Sequence, residues 1–202
     1  MIKEIDKIYL INLQHRKDRL EYQTKQFESL GLPMFEIIRP VEVEDSKGFL
    51  NKSTRSCYLT HLKIIEKIIQ DQNTCIILED DALIVNLEAT KKTLEHLFNN
   101  KVKWDMFYFY NYYNCFNQYY TVKNNIANTH AYMISPLAAK NIHRYLTINK
   151  ENLENKKYGH SHLDVAYIHC VHSRIKVVHA NQILINQNKN FSSDIEWYKS
   201  DS

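Results

Sequence analysis

The chain has 202 residues, 44% hydrophobic and 24% charged, a balance ordinary for a soluble globular protein and sufficient for one sizeable α/β domain. Its 26 basic and 23 acidic residues leave a formal charge of +3, without the basic face or stripe that marks nucleic-acid binding. Only 3 glycines are present, in neither GxGxxG nor GxxxxGK[ST] order, which excludes a phosphate-cradling glycine loop.

In chain order, Lys7 to Leu13 predicts a strand by its apolar, β-branched and aromatic content. A charged helix follows from about Arg16 to Leu30, with Leu20, Phe27 and Leu30 as its apolar stripe; Gly31 caps it and Pro33 stops it. Phe35 to Arg39 reads as a second short strand and Lys47 to Lys52 as a loop. A helix from Arg55 to Gln70 places Leu59, Leu62, Ile65, Ile68 and Ile69 on one face. Cys75 to Leu78 is an apolar strand, and about Leu87 to Phe98 a helix. Strands at Trp104–Phe109 and Asn128–Ser135 precede a helix that Pro136 opens, as proline is suited to do. Asp164 to Val171 is a helix and Ile175 to Val178 a final strand. Alternating strands and helices predict an α/β fold with a largely parallel central sheet flanked by helices, in a single domain.

The four cysteines (57, 75, 115 and 170) lack a CxxC pair and read as reduced thiols. Charges interrupt the apolar residues of Met1 to Asp6, which is not the pattern of a signal peptide, and no run approaches the roughly 20 apolar residues of a membrane span. The expectation is a cytoplasmic protein, with any membrane contact peripheral.

Chemistry concentrates at Glu79-Asp80-Asp81, three consecutive carboxylates directly after the Cys75–Leu78 strand. A wholly apolar strand is buried on both faces, so these residues emerge at the carboxyl end of the sheet, where open α/β folds bind ligands. At ~4 Å and an effective dielectric of ~20, each pair of charges repels by on the order of 4 kcal/mol. A hard divalent cation with phosphate ligands relieves that repulsion; the alternative is a solvated acidic turn. On an extended segment Glu79 and Asp81 face the same way and Asp80 the other. Arg16 and Arg19, after the first strand, suit a nucleotide's base, ribose or phosphates, or else form a charged helix start with Asp18. Asp164 is placed to be a general base for an acceptor hydroxyl, or an N-cap of the helix it precedes.

Two further features need weighing. Tyr108 to Tyr120 is almost entirely aromatic and amide, as an aggregation-prone tract is, as a sugar-stacking surface is, and as ordinary half-buried strand and loop residues are. His160, His162, His169 and His172 match no standard zinc spacing. His61 is read as structural or nucleotide-facing.

Several segments fall together in one order. Ile11-Asn12-Leu13 with Arg16, Asp18 and Arg19, then Ser56-Cys57-Tyr58-Leu59-Thr60-His61, then Leu78-Glu79-Asp80-Asp81-Ala82 resemble glycosyltransferase family 25, which includes bacterial lipooligosaccharide galactosyltransferases and animal collagen galactosyltransferases. Trp104-Asp105, Ala131 to Ser135, Asp164, Gln187 and Ser193-Asp194-Ile195 fit the same pattern. The chain departs from it at Ser56, where the family has glycine, at Thr60, where it has serine, and after Trp104-Asp105, where aromatics replace a glycine.

The resemblance implies a GT-A-type fold, with a nucleotide-sugar half over about 1–110 and an acceptor half over about 111–202. It implies Mn²⁺ (or Mg²⁺) and a UDP-sugar donor, with hexose transfer by inversion, most often galactose, onto a lipooligosaccharide or other glycan acceptor, which can be lipid-linked. The alternatives are another hexose, a protein hydroxylysine acceptor, or a degenerate glycan-binding module. On this basis Asp81, Glu79 and His179 are expected metal ligands, Asn12, Arg16, Arg19, Glu79 and Asp80 donor-binding residues, and Asp164 the catalytic base.

Overall fold

A computed structural model describes residues 5–100, 102–110 and 128–192, together with the backbone of 120–122. Strand β1 (Lys7–Ile11) leads into helix α1 (Lys17–Ser29), strand β2 (Glu36–Ile38) and helix α2 (Lys52–Asp71). Strands β3 (Cys75–Glu79) and β4 (Ala82–Ile84), helix α3 (Leu87–Asn99), and strands β5 (Met106–Tyr108), β6 (Tyr120–Val122) and β7 (Ala131–Ile134) follow. Helix α4 (Pro136–Glu154), the single turn α5 (Leu163–Ala166), and strands β8 (Val177–Ala180) and β9 (Ile185–Gln187) complete the described chain.

Seven strands form one sheet in the order β2-β1-β3-β7-β5-β8-β6, and β4 pairs with β9 apart from it. Five of the seven run in one direction, so the sheet is largely parallel; β7 is antiparallel to both neighbours and β6 to β8. Alternation sorts the strand side chains onto two apolar faces. Tyr9, Ile77, Tyr108 and Tyr132 pack with Tyr58 and Ile65 of α2 and Leu146 of α4. Leu10, Ile76, Phe107 and Met133 pack with Phe27 of α1 and Leu94 and Leu97 of α3. Both faces are covered, which is why the β3 sequence carries no polar alternation.

Local chemistry explains most boundaries. Helix α2 starts three residues before the Arg55 expected from sequence, because Asn51 and Thr54 form a reciprocal cap. Thr54 N donates to Asn51 Oδ1 at 2.9 Å, and Asn51 N donates to Thr54 Oγ1 at 3.1 Å. Ser135 caps α4, and Pro136 occupies its first turn. The helix expected over Asp164 to Val171 is instead the short α5 followed by a π turn, Tyr167–Val171. The last sheet strand lies two residues later than expected, over Val177–Ala180. Strands β4 and β9, three residues each, carry too little periodicity to read from sequence.

Gly48 is required twice over. Its φ is +85°, and a Cβ there would collide with the carbonyl oxygen of Leu153 at the end of α4. Gly31, at φ +59°, has open space around it. Gly48→Ala is therefore expected to cost more than the ~1–3 kcal/mol of an unfavourable backbone conformation alone, whereas Gly31→Ala costs only that. Thermal unfolding of the two variants decides the matter; equal losses would show that the Leu153 approach is irrelevant.

Candidate active site

The site is built where β1 and β3 end side by side. Ile11 and Glu79 are in register, so Asn12 and Asp80 leave the sheet as neighbours. The chain then turns sharply at Asp80-Asp81 before entering β4. The three carboxylates therefore do not alternate along an extended strand, as the sequence reading had it, yet they still diverge.

Asp80 is consumed by the protein. Its Oδ1 accepts from Arg19 Nη1 at 2.6 Å and its Oδ2 from Asn12 Nδ2 at 2.8 Å, with all three side chains buried. Arg39 fixes Asn12 in turn, donating to its side-chain and backbone oxygens. Arg19 also donates to the carbonyl of Ser192 and lies against the Phe191 ring. Gln23 of α1 donates to the carbonyls of Asp80 and Ala82, at 3.1 and 2.6 Å, and so pins the backbone of the turn. Asn12, Arg19 and Asp80, expected at the donor, thus form a buried cluster that holds the turn. Arg16 pairs with Asp18 in two hydrogen bonds, of 3.1 and 2.9 Å, as the charged-helix-start alternative has it.

Asp81 points elsewhere. Its Oδ2 accepts from Gln187 Nε2 at 2.8 Å, and its backbone carbonyl accepts from Asn188 N at 2.7 Å, so β9 delivers the contact. Its Oδ1 is buried and has no hydrogen-bond partner among the described residues. Burial first, and then the charge of Glu79, push this carboxyl up to about 6. A buried carboxylate oxygen with an open valence is the donor a hard cation takes, so Asp81 fits the expected ion.

Glu79 is half-buried and bonds to other partners. Its Oε1 accepts from Thr129 Oγ1 at 3.2 Å and stands 3.7 Å from His61 Nε2. Burial raises its carboxyl, but His61, His130 and Thr129 outweigh that and hold it below the ordinary value. His130, buried under the Tyr110 ring, is held below its ordinary value by desolvation. Glu79, Cys57, Thr129, His130, Gln187 and Asp164 line one cleft that opens to solvent.

Asp164 is among the residues that line this cleft. It does not cap its helix: His162 holds the N-cap position, and Asp164 accepts from Val165 N at 2.8 Å within the first turn. His179 is not brought to Asp81. It is buried on β8 opposite Tyr108, its Nδ1 is 2.9 Å from the carbonyl of Ala180, and its strand stands three places from β3, roughly 14 Å at ordinary strand spacing. Tyr108 and Phe109, which begin the aromatic tract, are core residues rather than a sugar platform. Residues 111–119 of that tract and Ser193-Asp194-Ile195 lie outside the described residues. Gln23, Arg39, Thr129 and His130 carry no local sequence signal; their parts depend on contacts across tens of residues.

The family model for glycosyltransferase family 25 (LPS biosynthesis protein) matches residues 5–154, a span that holds β1, the turn and α4. The chain belongs to this family. It is a family 25 glycosyltransferase, and its α/β fold is the largely parallel seven-stranded architecture described above. Membership brings with it a sugar donor and a glycan acceptor. No curated protein sequence matches the chain. Among solved structures it is similar to a mannose-1-phosphate geranyltransferase of Thermus thermophilus, at 9% identity and a TM-score of 0.47, covering 91% of this chain and 76% of that one. It is also similar to a glycosyltransferase involved in glycosylation of the major capsid of PBCV-1, at 12% identity and a TM-score of 0.36, covering 73% and 67%. No helix among the described residues is long and apolar enough to cross a membrane.

Proposed function

We propose that this family 25 glycosyltransferase moves a hexose, with galactose from UDP-galactose as the favoured donor, onto a lipooligosaccharide or other glycan acceptor, with inversion and with Mn²⁺ (or Mg²⁺) bound. The observation that carries the reading is the buried, partnerless Oδ1 of Asp81 beside the charge of Glu79. Asp81 is the residue that holds the cation, and Glu79 assists it. Such an ion supplies neutralisation of the charge that develops on a leaving diphosphate. Gln187 orients the Asp81 carboxylate through its Oδ2, which leaves Oδ1 for the ion. Arg19, Asn12 and Gln23 hold the turn rigid so that this oxygen keeps its position. The acceptor hydroxyl is placed in the cleft, where Asp164 takes its proton during attack. A lipid-linked acceptor would bring the protein to the cytoplasmic face of the inner membrane as a peripheral visitor.

Asp164→Asn separates the base from a merely structural role. It is expected to lower kcat by roughly 10²–10⁴, with UDP binding by calorimetry unchanged, because the amide keeps the shape and the Val165 N–H contact but cannot take a proton. A fall in UDP affinity together with kcat would remove Asp164 from the role of base.

A further inference from the structure

Behind the acidic turn, the cleft contains a set of donor atoms of a different chemical kind. Cys57 and His61 are four residues apart on α2 and so share one face of it. Glu79 approaches them from the end of β3. The Cys57 Sγ, a His61 ring nitrogen and a Glu79 carboxylate oxygen all lie within 4.8 Å of one another. His61 is 1% exposed, and its Nδ1 is held by the Tyr132 hydroxyl at 2.6 Å. That bond turns Nε2 toward the cluster, where it has no hydrogen-bond partner among the described residues and stands 3.7 Å from Glu79 Oε1.

We propose that Cys57, His61 and Glu79 form a Zn²⁺ site in the wall of the cleft, separate from the hard-cation position at Asp81. One thiolate, one imidazole and one carboxylate make a borderline-soft set that zinc prefers to magnesium or manganese. In a tetrahedral site with bonds of about 2.0–2.3 Å the donors stand roughly 3.5 Å apart. His61 and Glu79 stand close to that spacing, and the Cys57 Sγ lies within 4.8 Å of both. Tyr132 acts as the outer partner that fixes the ring and its free nitrogen. Three protein ligands leave a fourth position, and Cys57 and Glu79 line the cleft, so that position faces the space beside Asp164. On binding, the Cys57 thiol loses its proton to solvent and the imidazole stays neutral. Zinc bound here engages Glu79 and therefore competes with its assistance to Asp81. The binding itself does not depend on the proposed transfer reaction.

The test is a Co²⁺ titration of the full chain, read by absorption. The expected result is saturation at one equivalent, with a thiolate-to-cobalt charge-transfer band and the intense visible bands of tetrahedral coordination, both erased by Zn²⁺. Cys57→Ser is expected to remove the charge-transfer band while circular dichroism stays that of the parent. Cys75→Ser and Cys170→Ser are expected to keep the band and its midpoint, and Asp81→Asn to keep the band. Tyr132→Phe keeps all three donors and is expected to weaken Co²⁺ binding roughly 10–100-fold, a check independent of how well the thiol variant folds. Absence of the band at saturating Co²⁺, its survival in Cys57→Ser, or its loss in Asp81→Asn would each overturn the proposal. Loss of transfer activity in Asp81→Asn with the band intact bears on the transfer reading alone.

Discussion

Asp81→Asn is expected to lower the proposed hexose transfer by on the order of a thousandfold, the equivalent of about 4 kcal/mol of transition-state stabilisation by the proposed metal ion. The amide preserves the volume and the contact with Gln187, but it removes the negative charge that the buried Oδ1 presents. Chelation of divalent ions from the parent protein should produce a loss of the same order, and the variant should then be insensitive to added Mn²⁺. Unimpaired transfer by the variant, or by the chelated parent, would remove Asp81 from the metal role. Protein stability gives a second readout. The Asp81 carboxyl titrates near 6 in the fold rather than at its ordinary 3.8, so the folded state binds its proton more tightly. The stability this group contributes is full below 3.8 and is lost as pH rises through about 6. A cation bound to the ionised form compensates for that loss. Mn²⁺ is therefore expected to raise the Tm more at pH 7 than at pH 5, and equal shifts at both would argue that it binds elsewhere.

Arg19→Met is expected to be the most destabilising single change at the site, by roughly 3–5 kcal/mol. It leaves the buried Asp80 carboxylate with only the Asn12 amide, and its partner oxygen Oδ1 loses a 2.6 Å bond. Methionine keeps most of the apolar stem that packs near Phe191, so the loss reports the charge rather than the volume. At roughly 2–4 °C per kcal/mol for a domain of this size, the Tm should fall by about 10 °C or more. Adding Asp80→Asn to Arg19→Met should recover part of the loss, because it removes the uncompensated charge. A cost under about 1 kcal/mol would show a pair screened as though it were on the surface. If Arg19 instead grips the donor, as its position after the first strand implied, the variant would raise KM for the UDP-sugar and leave the Tm unchanged.

These two residues also show where sequence reading reaches its limit. Periodicity and composition located β1, α1, α2, β3, α3 and α4, because each depends on side chains spaced within one turn or one strand. The Asn51-x-x-Thr54 cap was present in the sequence too, and it moves the start of α2 into what looked like loop. Arg19 looked like a phosphate ligand because a guanidinium after a first strand is equally suited to a phosphate or a carboxylate. Only the adjacency of β1 and β3 shows that Asp80 is its partner, 61 positions away. The same holds for Gln187 and Asp81, which β9 joins across 106 positions through a strand too short to be read. His179 failed for the complementary reason. A histidine at a strand end is a plausible ligand until strand order places β7 and β5 between its strand and β3.

What the sequence determined by itself is the class of the fold, the family, and the position of three consecutive carboxylates, Glu79-Asp80-Asp81, at the end of a buried strand, because such a run is a local fact. The division of labour among those three was decided by tertiary structure alone. Neighbouring carboxylates differ in what surrounds them, and the side chains that contact these come from other parts of the chain: Arg19 and Asn12 for Asp80, Gln187 for Asp81, His61 and Thr129 for Glu79.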